Sequence, residues 1–131
     1  MSRSFRRPSL ALATLAAAFS LAATAPATRF HARLVKSNPS KDTVLTAAPR
    51  QLDLWFSERI DVAASRVQLV DAAQHAVETG ALWRDEKIAD APVVATVKGA
   101  MAPGTYTVNW IAAAGDGHPV RGSFNFTLRA P

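Results

Sequence analysis
Cysteine is missing from all 131 residues. No disulfide can staple the fold and no thiolate can ligate a metal, so a hydrophobic core has to hold the domain together alone. A long membrane-crossing run is also lacking. The most apolar stretch, from Leu10 to Ala25, falls short of the roughly 20 residues that a bilayer requires. After it, the chain shows no convincing amphipathic helix, no internal repeat and no composition break that would mark a second domain. One small domain with one core is what this length supports.

Charge of one sign is scarcer than it looks. The formal net charge is +5, yet Arg3, Arg6 and Arg7 precede the apolar run, and small residues follow it at Ala25-Pro26-Ala27. Basic segment, short greasy segment and small-residue cleavage site make a secretory signal peptide over residues 1–27. Its removal before Thr28 leaves the domain, residues 28–131, with a net charge of about +2, too little to argue for a nucleic-acid surface. The order implies export; an uncleaved signal acting as a membrane tether is the lesser alternative.

What is present reads as β-structure. Gln51 to Phe56 alternates, with Leu52, Leu54 and Phe56 on one face and Gln51, Asp53 and Trp55 on the other. Arg66 to Leu69 repeats that pattern, and Pro92 to Val97 is a β-branched run ending before Gly99. Thr105 to Trp110 alternates with Tyr106, Val108 and Trp110 together, and Phe124, Phe126 and Leu128 do likewise in a last strand from Ser123. His31 to Val35 reads as an edge strand, followed by a turn cluster at Ser37-Asn38-Pro39-Ser40. Asp71 to Ala91 is polar and alanine-rich, with room for a loose hairpin. Short strands between turn signals indicate an antiparallel sandwich or small barrel.

The chemistry concentrates in Gly115-Asp116-Gly117-His118-Pro119. On an extended backbone Asp116 and His118, two apart, project to the same side and can share one ion. Pro119 disfavours the helical region for His118. One carboxylate and one imidazole do not complete a transition-metal site, so another ligand is needed, and His31 is the candidate. Nitrogen and oxygen donors without sulfur suit Cu(II), Zn(II) or Ni(II), and copper leads on affinity order. The competing reading is an ordinary turn in which Asp116 caps the backbone and His118 is solvated. His75, in the irregular segment, reads as an exposed loop histidine.

Three stretches in fixed order carry a resemblance: His31-Ala32-Arg33-Leu34-Val35-Lys36-Ser37-Asn38-Pro39, then Leu54-Trp55-Phe56-Ser57-Glu58, then Gly104-Thr105-Tyr106-Thr107-Val108-Asn109-Trp110 running through Asp116-Gly117-His118-Pro119 to Gly122-Ser123-Phe124-Asn125-Phe126. Together they resemble the CopC family of periplasmic copper-binding proteins, over His31 to Leu128. The resemblance implies an all-β, seven-stranded Greek-key, immunoglobulin-like sandwich or barrel of cupredoxin type. It implies one Cu(II) per chain, held by His31, Asp116 and His118, with Glu58 near the site and able to hydrogen-bond a ligand. It implies copper homeostasis or resistance rather than catalysis, and an inner-membrane transporter of the CopD type as partner.

In that family the opening histidine is typically the mature N-terminus and also binds through its amine. Here cleavage before Thr28 leaves Thr28-Arg29-Phe30 ahead of His31, so the imidazole serves without the amine unless the chain is trimmed further. A Cu(I) site would need thioethers. Met1 goes with the signal and Met101 stands alone, so no Cu(I) methionine site is expected. Two rival functions are a metal-free immunoglobulin-like adhesion or assembly module and a histidine-brace copper enzyme of oxidase type.

Overall fold
The computed structural model describes residues 31–115 and 117–130. Their strands are β1 (Leu34–Asn38), β2 (Val44–Leu45), β3 (Gln51–Phe56), β4 (Ile60–Val70), β5 (Ala76–Val77), β6 (Val93–Thr96), β7 (Gly104–Ala114) and β8 (Pro119–Leu128). A three-stranded sheet has the order β1-β3-β6, and a five-stranded sheet the order β2-β8-β7-β4-β5. The fold is an all-β sandwich. Eight strands stand where seven were expected; β2 and β5 are two-residue pieces.

Period-two alternation builds the core. Along β7, Tyr106, Val108, Trp110, Ala112 and Ala114 are buried, while the residues between them are more exposed. From β8, Phe124, Phe126 and Leu128 meet them, and from the other sheet Leu52 and Leu54. Tyr106 stacks on Phe126, its cross-strand partner, with ring centroids 5.7 Å apart, and Phe56 meets Trp110 edge-on at 5.3 Å. Such pairs add to plain burial. Trp55 lies on the opposite face of β3, as the alternation requires. Lys36 Nζ sits 4.5 Å from the centre of its ring, and its indole N–H donates to the Asp90 carbonyl at 3.0 Å.

Several boundaries differ from the sequence reading. The first strand begins at Leu34 rather than His31 and runs through Ser37 and Asn38, which read as turn formers. Asn38 stays extended because its amide donates to Asp53 at 3.2 Å across the sheet, and Ser37 is buried opposite Leu54. Asp53, on the polar side of the alternation, is also buried; Gln51 covers its other oxygen at 2.6 Å. A buried carboxylate is tolerable when its oxygens are paired in this way.

The segment 71–91 makes no hairpin of its own. It turns at Asp71, pairs briefly with β4 as β5, then crosses to the edge of the other sheet, where Trp83 and Val94 exchange backbone hydrogen bonds at 3.1 and 2.8 Å. Arg84 fixes the crossing. It donates to the Ile60 carbonyl and to Glu86, which also pairs with Arg59.

Candidate metal centre
Strand pairing gathers three segments at one end of the sandwich. Ala113 opposite Pro119 closes the β7–β8 connection into a short loop, Gly115 to His118. Ile60 opposite Ala114 brings the β3–β4 turn beside it, and Leu34 opposite Phe56 brings the start of β1. The chain ahead of β1 is tied down there. The Ser57 amide donates to the Arg33 carbonyl at 2.8 Å, and the Arg33 amide donates to Ser57 Oγ at 3.0 Å.

Two of the four residues singled out in the sequence meet here. The imidazoles of His31 and His118 lie edge to face, their centroids 6.5 Å apart with 71° between planes. They come from segments 87 positions apart, which only the closed sandwich brings together. Both side chains are exposed at the rim. An imidazole nitrogen stands about 2 Å from a metal that it ligates, so two rings at this separation are within reach of one ion. The donor chemistry fits Cu(II) or another borderline divalent metal.

Asp116 lies outside the described residues. Its neighbour corrects one premise of the sequence reading: Gly117 has φ 76° and its amide donates to the Ala114 carbonyl at 3.0 Å, so the loop turns here instead of running extended between Asp116 and His118. The glycine is required, because a side chain at this φ would be strained.

Glu58 sits on the β3–β4 turn at the same end, exposed. Among the described residues no group of three or more histidine, cysteine, aspartate or glutamate side chains could hold a metal. Beside Glu58 a small cavity of about 210 Å³ is lined by Trp55, Arg59, Arg84 and Asp90. Burial pushes the Arg84 guanidinium below its ordinary value, and the charge of Arg59 acts the same way. No motif announces this group, since Arg59, Arg84 and Glu86 come from segments with no recognisable spacing. His75 is exposed in the β4–β5 turn, 3.3 Å from Asp71. That turn lies at the far end of β4, beyond Val70, away from His31 and His118.

Comparison with known proteins agrees with this architecture. The family model described as CopC domain matches residues 34–129. Copper resistance protein C of Pseudomonas syringae pv. tomato is 30% identical over 103 residues, covering 76% of this chain and 81% of that protein. Copper transport protein CutJ of Bacillus subtilis is 30% identical over 106 residues, 79% of this chain but only 19% of that longer protein. The crystal structure of CopC from Methylosinus trichosporium OB3b superposes with a TM-score of 0.69 at 25% identity, covering 76% of this chain and 95% of that one.

Proposed function
The chain belongs to the CopC domain family and its function is copper-related; on that premise we propose that it captures one Cu(II) per chain in the periplasm and carries or buffers it in copper homeostasis and resistance, without turnover. The observation that carries this reading is the meeting of His31 and His118 at 6.5 Å on an exposed rim. Asp116, between β7 and β8, is the proposed oxygen donor, and Glu58 the proposed hydrogen-bonding neighbour. Imidazole and carboxylate without sulfur favour the oxidised ion. A rim site suits a carrier, because the metal is reached and released without unfolding any part of the core.

Export follows from the signal read in residues 1–27. The proposed partner is an inner-membrane copper transporter of the CopD type. Support comes from the Bacillus subtilis relative, in which a similar stretch makes up 19% of a longer protein named for copper transport.

Native mass spectrometry of the exported protein, with and without Cu(II), tests the reading, since it reports the first residue and the stoichiometry together. One copper per chain, lost in His118→Ala, is the expected result. A chain that begins at His31 would add the terminal amine as a ligand; one that begins at Thr28 would bind through imidazoles and Asp116. Absence of bound copper in the intact protein would overturn the carrier and leave a metal-free module.

A further inference from the structure
The two sheets do not close against each other along one side. Among the described residues strand β1 pairs only with β3, which leaves its outer edge open, and β8 pairs with β2 only at Thr127 and Leu128. The β8 edge from Val120 to Phe124 is therefore also without a neighbouring strand. Between these two edges runs a groove of about 660 Å³, floored by Ala32, Trp110, Val120 and Phe124. Its volume falls in the range of ligand-holding clefts, roughly 300–1,000 Å³.

The charge on the groove is of one sign. Arg33 and Lys41 line it and no acidic side chain does; Lys36 also borders it, with its ammonium turned to the outer face. None of these three is in an ion pair among the described residues. Val35, on the same free edge, is 67% exposed, the most exposed large hydrophobic side chain described. Edge lysines ordinarily guard a strand against pairing. Lys36 is drawn aside instead, its ammonium held over the Trp55 ring on the outer face.

We propose that this groove docks an extended acidic segment of a partner protein, which adds a strand along the β1 edge and places its carboxylates against Arg33 and Lys41. Main-chain hydrogen bonds to the free edge supply register, Val35 supplies an apolar contact, and the cations choose the sign of the partner. The groove opens at Ala32, next to His31. A segment seated there lies alongside the rim histidines, yet its docking requires no metal.

The test is fluorescence anisotropy on the metal-free protein, with a labelled seven-residue peptide of alternating glutamate and valine. A lysine–valine peptide and a glutamate–valine peptide N-methylated at alternate amides are the controls. The acidic peptide should bind saturably and weaken with added salt, and both controls should fail. Arg33→Glu with Lys41→Glu, confirmed folded by circular dichroism, should weaken it at least about tenfold. No saturable binding, equal binding of either control, or indifference to the charge reversals would overturn the proposal. So would binding to phosphatidylglycerol vesicles without binding to the peptide, which would give the basic rim to a lipid surface. Copper stoichiometry is measured separately, so loss of one reading leaves the other standing.

Discussion

The indole of Trp110 lies across Gly122, its partner on the neighbouring strand. A methyl group on Gly122 would stand 2.7 Å from Cε2 of that ring and closer still to Cζ2. The glycine is therefore space for an aromatic rather than freedom for the backbone. Trp110 in turn holds Phe56 edge-on at 5.3 Å, which ties the two sheets together. Its indole Nε1 is buried without a partner among the described residues, a cost accepted for the fit of the ring.

Gly122→Ala should thus destabilise by overpacking, by about 1–3 kcal/mol. Urea unfolding followed by tryptophan fluorescence is the measurement. An unchanged midpoint would mean that the ring moves aside freely and does not fix the contact between sheets.

Ser65 makes a second prediction. It is buried where the β4–β7 register slips between Asp61 and Arg66, donating to the Asp61 carbonyl at 2.6 Å and accepting from the Ala113 amide at 3.0 Å. The side chain thus replaces ladder bonds that the bulge removes. Ser65→Ala would orphan both backbone groups and cost about 1–3 kcal/mol. Faster hydrogen exchange at the Ala113 amide is the local sign; exchange as slow as in the parent would deny Ser65 this role.

Those two residues also show why some of the fold was legible and some was not. Strand β3 and the middle of β7 and β8 are readable because large apolar side chains alternate there, and β6 because Val93 and Val94 open an unbroken apolar, β-branched run. The bulge in β4 breaks the period, and Ala112 to Ala114 carry too little contrast to show that β7 continues to the loop. Ser37 and Asn38 read as a turn because local propensity favours one, and the cross-strand contact of Asn38 with Asp53 that overrides it is not a local property. For the site, residue chemistry and the resemblance single out His31 and His118, and the structure brings their rings to 6.5 Å, while their role as ligands is part of the proposal. The grouping of Arg59, Arg84 and Glu86 was invisible, since only the path of residues 71–91 across the sandwich creates it.

Tyr106, the single tyrosine of the chain, gives a prediction in alkali. Its hydroxyl is buried and donates to the Ala102 carbonyl at 2.6 Å, the arrangement of a tyrosine corner. Burial pushes its pKa above the ordinary 10.0, and the charge of Asp71 acts in the same direction. A value raised in the folded state means that the unfolded chain loses its proton first. The stabilisation is complete below about pH 10 and is lost as pH rises through the folded-state value. Thermal unfolding between neutral and strongly alkaline pH should show this decline, and Tyr106→Phe should remove it from the pH profile. The same variant should cost about 1 kcal/mol at neutral pH through the lost hydrogen bond. A decline that persisted unchanged in the phenylalanine variant would assign it to other groups.

Copper binding itself should be linked to protons in a countable way. An imidazole binds metal only when it is unprotonated, so protons compete with copper at each histidine ligand. With His31 and His118 both bound to one ion, two protons must leave for each copper taken up wherever both imidazoles are protonated in the metal-free protein. The affinity should then fall by nearly a hundredfold per pH unit. Replacing one ligand, in His31→Ala or His118→Ala, should weaken binding at neutral pH by more than the roughly 10–100-fold typical of an outer-shell partner. It should also cut the slope to about tenfold per unit, whereas the exposed His75→Ala should change neither quantity. Competition with a chelator of known proton dependence, at several pH values for each variant, reads the slope directly. A slope that stayed the same after removal of either rim histidine would place the copper elsewhere on the chain, whatever its affinity.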